Sequence, residues 1–228
     1  MAQLHNMGER LIILFDLDGT LIDSTEAILE SFHHAFDFYN YEHPEDAEIK
    51  ALIGHPLDVM FSRLGVEEAV VWDFVETYKE HYREISTQMT TLIPYAKEAV
   101  ELAYKFADLG IVTTKTGKYS EILMEYFGVM DKFKVLIGRE HVENPKPHAE
   151  PILKALEVFD KQDKDVWMIG DTELDLMSAS SAGINSIAVL SGYDSSETLN
   201  KMSDVVFNDA YEAVKWLESR KISQSKLT

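Results

Sequence analysis

The chain has 228 residues, of which 46% are hydrophobic, and it contains no cysteine. This composition is sufficient for a buried core, and the lack of thiols excludes disulfides, zinc–thiolate sites and a cysteine nucleophile. The formal net charge of −19 argues against binding to nucleic acid or to an anionic membrane, although a small anionic substrate could still bind at a locally positive site. We therefore expect a cytoplasmic protein that binds neither of these large partners.

A buried strand is predicted first, at Leu11–Phe15, where a continuous apolar run ends abruptly in Asp16 and Asp18. No strand pattern is evident in residues 24–91, which follow it. Helices are predicted there at Thr25–Phe38, 45–52, 57–64 and 67–85. Together they predict a small helical cap domain inserted after the first strand, with the chain returning near residues 91–94.

Beyond the insertion, short apolar runs alternate with segments of helical periodicity. Helices are predicted at 96–107, 120–127, 151–159, Glu173–Ala182 and 211–218. Strands are predicted at 110–114, Phe133–Ile137, 166–169, 186–190 and 204–207. This alternation predicts an α/β fold with a parallel sheet covered on both faces. The predicted domains are a core, residues 1–23 and 92–228, and a cap, residues 24–91.

Polar residues follow four of the predicted strands, at the edge of the sheet where ligands bind in folds of this type. They are Asp16, Asp18, Gly19 and Thr20 after the first, Thr113, Thr114 and Lys115 after the second, Lys146 after the third, and Asp171 and Asp175 after the fourth. The opposite edge, with loops such as residues 160–165, shows no comparable set. We therefore expect acids, hydroxyls and lysines to meet at one edge.

Acids held close together repel each other, and a hard divalent cation relieves that repulsion. Because Mg²⁺ prefers a few oxygen ligands and often shares a phosphate oxygen, Asp16 and Asp171 are candidate metal ligands. Lys146, assisted by the hydroxyl of Thr113, can then neutralise phosphate charge. An ionised aspartate beside such a cation can attack phosphorus. A second carboxyl, that of Asp18, can protonate the leaving oxygen and later deprotonate water.

Four motifs, in this order, resemble those of haloacid dehalogenase (HAD) superfamily phosphatases: FDLDGT, IVTTK, NPKP and IGDTELD. The resemblance covers nearly the whole chain and implies a Rossmann-like core, Mg²⁺ and an aspartyl-phosphate intermediate. It implies that Asp16 is the nucleophile, and that Asp18 is the acid/base and a metal ligand through its backbone carbonyl. It further implies that Asp171 binds the metal, and that Asp175 orients the metal shell or Lys146.

The second acid of the first motif separates two activities within that superfamily. Dehalogenase members resemble this layout but lack an acid at the position of Asp18. A halide leaves without a proton, whereas an alkoxide requires one. The presence of Asp18 therefore favours a phosphate ester as the substrate.

Substrate contacts are expected from loops of both predicted domains. In similar phosphatases the cap loop that matches IGHPL faces the active site. Thr114 stands where close relatives often carry asparagine, which leaves its role open, as it is for Lys115. The candidate contacts are Gly19, Thr20, Thr114 and Lys115 from the core, and Gly54, His55 and Arg63 from the cap. For the cap residues, an ordinary helix–turn role is an equal alternative.

The small cap and the segments IGHPL and KPHAEPIL are most similar to the phosphoglycolate phosphatase group. The expected ligand is thus a small phosphorylated metabolite, with 2-phosphoglycolate first. Pyrophosphatases, 5′-nucleotidases and sugar-phosphate phosphatases share nearly the same core motifs, so these activities remain alternatives. A non-catalytic phosphate-binding regulatory relative is the alternative of another class. The sequence leaves open whether the protein is a monomer or a homodimer.

Overall fold

The computed structural model describes residues 10–160 and 164–225. Its strands are β1 (Leu11–Phe15), β2 (Ile22–Asp23), β3 (Thr91–Leu92), β4 (Ala107–Val112), β5 (Phe133–Ile137), β6 (Val166–Gly170), β7 (Asn185–Val189) and β8 (Val206–Phe207). Six of them form a parallel sheet in the order β5-β4-β1-β6-β7-β8. The first strand of the chain therefore lies in the middle of the sheet, beside the point where the strand order reverses.

The helices cover both faces of this sheet and fill the insertion. They are α1 (Thr25–Phe38), α2 (Asp46–Lys50), α3 (Leu57–Arg63), α4 (Val71–Met89), α5 (Ala96–Phe106), α6 (Gly117–Tyr126), α7 (Glu150–Leu156), α8 (Glu173–Ala182), α9 (Ser196–Met202) and α10 (Ala210–Ser225). Among the described residues, no helix combines the length and the apolar character needed to cross a membrane.

Alternate residues of β1 point to opposite faces of the sheet, as strand geometry requires. Ile13 and Phe15 pack in a core with residues of α5, α6 and α10, whereas Ile12 and Leu14 pack in another core with residues of α7 and α8. Both faces are thus covered, which explains why β1 is apolar at every position. This arrangement confirms the predicted Rossmann-like α/β fold with an inserted helical cap.

The inserted helices have a hydrophobic core of their own. Phe32, Phe36, Phe61 and Phe74 are almost completely buried in one cluster formed by α1 to α4. The chain enters and leaves this region through β2 and β3, which pair in an antiparallel two-stranded ribbon. The sequence pattern did not reveal this ribbon, because two residues are too few to show periodicity. The domain boundaries at residues 24 and 91 stay a prediction.

The bounds of the predicted strand 110–114 were wrong, and so was the predicted end of the helix before it, at residue 107. The strand is Ala107–Val112, and the helix ends at Phe106. A charged residue, Asp108, interrupts the apolar run and hid the start of the strand. Its carboxylate is tolerated because Arg10, Lys134 and Lys164 surround it.

Several other element boundaries differ from their predictions. The long cap helix spans Val71–Met89 rather than 67–85, and the C-terminal helix continues to Ser225. The sequence pattern missed α9, a short helix capped by the Ser195 hydroxyl, which accepts a hydrogen bond from the backbone amide of Thr198. Of the loop predicted at 160–165, residues 161–163 lie outside the described residues, as do residues 1–9 and 226–228 of the predicted core domain.

Candidate active site

The loop after β1 places Asp16 and Asp18 at the carboxyl edge of the sheet. The chain turns at Gly19, whose φ of +81° is unfavourable for residues with a side chain. A Cβ atom at Gly19 would also clash with the Asp171 carboxylate. Thr20, the next residue, donates a hydrogen bond from Oγ1 to Asp171 Oδ1 at 3.0 Å. The glycine therefore allows the β1 loop to lie directly against the end of β6.

Three buried carboxylates meet around one buried lysine. Oxygen atoms of Asp16, Asp171 and Asp175 all lie within 4.8 Å of one another. The Lys146 ammonium lies 2.9 Å from Asp16 Oδ1, and it donates hydrogen bonds to Asp175 Oδ1 at 2.6 Å and to the Val112 carbonyl at 3.1 Å. Residues from four separate parts of the chain are thus brought to one point.

The electrostatics of this cluster follow from its burial and its excess of acids. Burial and the neighbouring Asp175 raise the pKa of Asp16 to about 7, although Lys146 acts in the opposite direction. Burial, together with Asp16 and Asp175, raises the pKa of Asp171 well above its ordinary value. Burial alone would lower the pKa of Lys146, but Asp16 and Asp175 raise it, which keeps the ammonium charged. The lysine compensates only part of the negative charge.

The donor set fits a hard divalent cation. Asp16 Oδ1 is buried and lies 2.9 Å from the Lys146 ammonium, which also pairs with Asp175. Three clustered carboxylates around one lysine leave negative charge uncompensated, and coordination to Mg²⁺ would offset it. Asp171 is held in place by Thr20 and by the Tyr193 amide, which donates to Oδ2 at 2.9 Å.

Asp175 is engaged differently from the other two acids. Its Oδ1 accepts from Lys146, and its Oδ2 accepts from the backbone amide and the hydroxyl of Thr172, at 3.1 and 2.8 Å. The latter bonds cap the first turn of α8. Asp175 therefore connects the start of that helix to the lysine ammonium.

Asp18 is not one of the three clustered acids and pairs instead with Lys115. The Lys115 ammonium donates to Asp18 Oδ1 and Oδ2 at 3.2 and 3.0 Å, and Ser24 Oγ donates a short hydrogen bond to Oδ1. The same ammonium lies 4.5 Å from the centre of the Tyr82 ring in the cap. Burial would lower the pKa of Lys115, but Asp18 and Tyr82 raise it well above its ordinary value. Lys115 thus connects the sheet edge to the cap.

The two threonines after β4 have different partners. Thr113 is buried, and its Oγ1 accepts a hydrogen bond from the Lys115 amide at 3.2 Å. Thr114 Oγ1 donates to the carbonyl of Gly54 at 2.8 Å, which joins the core loop to the cap loop. Thr114 therefore makes a contact between the two regions, while Thr113 shapes the loop that carries Lys115.

The predicted cap residues lie near the sheet edge. His55 Nε2 lies 2.9 Å from Arg63 Nη1. Partial burial and the charge of Arg63 both lower the pKa of His55, which favours a neutral ring at pH 7. Gly54 and His55 line a cavity of about 300 Å³ that also includes Asp18, Thr114 and Lys115. Arg63 is not part of the wall of that cavity.

The loop after β7 contributes residues that the sequence pattern did not identify. Ser191 Oγ donates to the Gly19 carbonyl at 2.7 Å, and the Tyr193 amide binds Asp171. Between them, a Cβ atom at Gly192 would clash with Asp171. The rule that ligands bind at the carboxyl ends of strands could have found this loop, because a strand was predicted just before it.

Comparison with known proteins identifies this arrangement. Residues 13–189 match the family described as haloacid dehalogenase-like hydrolase. The chain belongs to that family. A pyrophosphatase PpaX from Bacillus cereus is 32% identical to this hydrolase over 207 residues, which cover 85% of the chain and 94% of the relative.

Solved structures of similar proteins agree with this assignment. A haloacid dehalogenase-like family hydrolase from Streptococcus pneumoniae superposes with a TM-score of 0.81 at 25% identity, covering 91% of this chain and 98% of the other. A predicted phosphoglycolate phosphatase from Haemophilus somnus gives a TM-score of 0.82 at 25% identity, covering 93% and 100%. The predicted HAD phosphatase identity is confirmed, and the protein is a phosphatase of this family.

Proposed function

We propose that this phosphatase hydrolyses monoesters of small phosphorylated metabolites in the presence of Mg²⁺, through an aspartyl-phosphate formed on Asp16. One observation carries the proposal. Asp16 is a buried carboxylate at the carboxyl end of the central strand, and one lysine and two further acids lie around it. The excess negative charge around Asp16 favours the binding of an additional cation. The Asp16 carboxylate can then act as a nucleophile towards a phosphate group that binds together with that cation.

The steps use the two acids of the β1 loop in turn. Asp16 attacks phosphorus, and the bond between phosphorus and the ester oxygen breaks. Asp18 gives its proton to that oxygen, so that an alcohol leaves. Asp18 then takes a proton from water, the water oxygen attacks phosphorus, and the bond from phosphorus to Asp16 breaks. Inorganic phosphate leaves, and both carboxyl groups return to their starting forms.

The metal would be held by the side chains of Asp16 and Asp171 and by the backbone carbonyl of Asp18. Bound there, Mg²⁺ would supply positive charge that keeps Asp16 ionised and offsets the charge of the transferred group. Both oxygens of Asp175 already accept hydrogen bonds, so we assign it the task of holding Lys146 against the phosphate. Lys146 is in turn the fixed cation of the site.

Two observations bear on the substrate. The similarity of the cap to the phosphoglycolate phosphatase group, and the likeness to the structure from Haemophilus somnus, favour 2-phosphoglycolate as the first candidate. The 32% identity to the Bacillus cereus pyrophosphatase favours pyrophosphate as the second. In either case we propose that residues 24–91 act as a cap whose ribbon, β2 with β3, connects it to the core. Closure of such a cap would exclude bulk water from the first step.

The test is phosphate release from a panel of phosphate esters and pyrophosphate, assayed with Mg²⁺ and with excess chelator. We expect hydrolysis of at least one ester with Mg²⁺, loss of turnover in chelator, and recovery when Mg²⁺ is added back. Full turnover in excess chelator would overturn the metal requirement. A panel on which no compound is hydrolysed would favour the regulatory alternative.

A further inference from the structure

We infer that the cavity between the cap and the sheet edge binds the leaving group of the substrate, and that this group carries a heteroaromatic ring with hydrogen-bond acceptors. The inference rests on the proposed phosphatase mechanism and points to a substrate class other than the two candidates that similarity favours. The cavity has a volume of about 300 Å³. Its walls come from α1, α3, α4 and the loop between α2 and α3 on the cap side, and from the loops after β1, β4 and β5 on the other.

The position of the cavity relative to the two acids places it on the leaving-group side. Asp18, the proposed donor of the proton to the leaving oxygen, forms part of its wall, whereas the proposed nucleophile Asp16 does not. In an in-line displacement, the nucleophile and the leaving oxygen lie on opposite sides of phosphorus. A phosphate bound between the two acids would therefore direct its alcohol portion into this cavity.

The size and the lining of the cavity disfavour a compact acid as that alcohol. At about 30 Å³ for each molecule of liquid water, 300 Å³ corresponds to roughly ten waters, whereas glycolate has about five heavy atoms. Much of the wall is apolar or aromatic, and its members include Ile28, Met60, Val75, Tyr78 and Tyr119. A flat ring would displace water from these surfaces, and burial of apolar area would stabilise the complex.

The two lysines and Glu140 in the wall are already paired, so an anionic group could not bind to either lysine without breaking its pair. Lys115 is bound to Asp18, and Lys79 is bound to Glu76 at 2.9 Å. The Glu140 carboxylate accepts from the amides of residues 117 and 118. Of the described cations in the wall, Arg139 alone has no ion pair, so it is the group left to contact acceptor atoms of a ligand.

Two polar atoms in the wall have no such partner. The hydroxyl of Tyr82 and the Nε of Arg139 are both buried, and neither has a hydrogen-bond partner among the described residues. Tyr82 itself is only 1% exposed. Buried donors without partners are costly, and both could donate to acceptor atoms of a ligand. A heteroaromatic ring with hydrogen-bond acceptors would pack against the apolar wall and accept hydrogen bonds from these two donors. A nucleoside and a pyridine alcohol both contain such a ring.

The first experiment compares kcat/KM for four esters with Mg²⁺: uridine 5′-monophosphate, pyridoxine 5′-phosphate, 2-phosphoglycolate and glycerol 3-phosphate. We expect values at least about tenfold higher for one or both ring-bearing esters. The better of the two identifies the source of the ring. Efficient hydrolysis of the compact esters alone would overturn the inference and leave the proposed function standing. Hydrolysis of none of a wider panel would overturn the proposed function itself.

Variants of the wall test the same point without touching the two acids. Tyr82→Phe removes the unpartnered hydroxyl and keeps the ring, so we expect about a five- to tenfold loss in kcat/KM for the ring-bearing ester, mainly through KM, with unchanged thermal stability. Leu57→Trp adds bulk to the wall and should weaken the same ester by a similar factor or more. Compact esters should change less than about twofold with Leu57→Trp, the variant that does not alter a neighbour of Lys115. Equal losses on both kinds of ester would contradict a leaving-group role for the cavity.

A binding measurement supplies a readout that does not depend on turnover. Trp72 is 59% exposed and lines the cavity, whereas Trp167 and Trp216 pack against each other in the core at 5.5 Å between ring centres. Uridine 5′-monophosphate titrated into the Asp16→Asn variant should change the tryptophan fluorescence, and Trp72→Phe should abolish that change. Phe38→Ala removes an equally exposed cap aromatic outside the cavity and should not affect it. A saturable signal that persists in Trp72→Phe would place the ring elsewhere and overturn the inference.

Discussion

The two ends of the central strands carry opposite balances of charge. At the amino end, one acid, Asp108, has three cations around it: Arg10 Nε at 3.0 Å, Lys134 Nζ at 3.0 Å and Lys164 Nζ at 3.3 Å. At the carboxyl end, three buried acids share one buried lysine among the described residues. The cations lower the pKa of Asp108 although burial acts to raise it, whereas burial and neighbouring acids raise that of Asp16.

This difference separates a structural charge cluster from a functional one. The ionised form of Asp108 is fully compensated by its own side-chain neighbours, so the amino end needs nothing from outside the chain. The carboxyl end is left with a deficit of positive charge, because among the described residues three clustered acids surround one lysine. A site with uncompensated negative charge and a buried lysine can bind a cation together with an anionic group. The predictions below test whether the two ends differ in this way.

The largest expected effect is that of Asp16→Asn, with Asp108→Asn as its matched control. Both variants replace a buried carboxylate by an amide of similar size. Asp16→Asn should reduce kcat by at least about 10⁴-fold because it removes the nucleophile, while its fold is retained. Asp108→Asn should change kcat by less than about twofold. Phosphate release and circular dichroism check both, and normal turnover in Asp16→Asn would show that the nucleophile has been misassigned.

The second largest effect on kcat is expected at Lys146, the only lysine among the described residues that pairs with the clustered acids. Lys146→Met keeps much of the side-chain length and removes the charge, so we expect about a 10³-fold loss in kcat with Mg²⁺ present. The control is Lys134→Met at the amino end, which leaves Asp108 with two cations and should leave kcat unchanged. If both variants were equally active, the difference between the two ends would have no catalytic meaning.

A smaller and more selective effect is expected for Asp18→Asn. An alkyl phosphate needs a proton on its leaving oxygen, so its single-turnover rate should fall by about 10²-fold. The rate for p-nitrophenyl phosphate should fall by less than about tenfold, because nitrophenolate leaves without protonation. The variant also lacks the base of the second step, so the phosphorylated enzyme should accumulate with either ester. The aryl ester should therefore release nitrophenolate in a burst. Stopped-flow absorbance measures it, and equal losses on both esters would indicate a purely structural role for Asp18.

The grouping of residues at the carboxyl end could be predicted because it depends on the backbone. Apolar runs that alternate with helical segments predict a parallel sheet, and a parallel sheet brings the residues after its strands to one edge. Asp16, Lys146, Asp171 and Asp175 were selected by that rule, and the structure brings them together. The rule also covers the loop at Ser191, which follows the predicted strand 186–190.

The cavity and the amino-end cluster could not be predicted in the same way. The cavity wall combines side chains of several cap helices, and their contacts depend on how those helices pack rather than on any local pattern. Lys115 illustrates the limit. Its sequence position predicts a loop after a strand, but its bond to Asp18 and its contact with the Tyr82 ring are set by tertiary structure alone. Asp108 was misread because its three cations are distant in sequence.

The smallest expected effects are on stability, and here the two ends should respond to pH with opposite signs. The pKa of Asp108 is lower in the folded chain than its ordinary value of 3.8, so its contribution to stability is present above that pH and is lost as the pH falls through the folded value. The pKa of Asp16 is raised from 3.8 to about 7 in the metal-free protein. Its contribution is therefore present below pH 3.8 and is lost as the pH rises through about 7.

Urea denaturation of the metal-free protein between pH 3 and pH 8 can separate these two contributions. Asp108→Asn should lower the free energy of unfolding by about 1–2 kcal/mol at pH 7, because it leaves partly exposed cations without their partner, and the difference from wild type should shrink towards pH 3. Asp16→Asn should have the reverse profile and should stabilise the metal-free protein increasingly as the pH rises from about 4 to about 7. Added Mg²⁺ should stabilise the wild type at pH 7 but not Asp16→Asn, because binding to the folded state requires the ionised carboxylate. Parallel profiles for the two variants would mean that both acids are structural, and the contrast between the two ends of the strands would then be wrong.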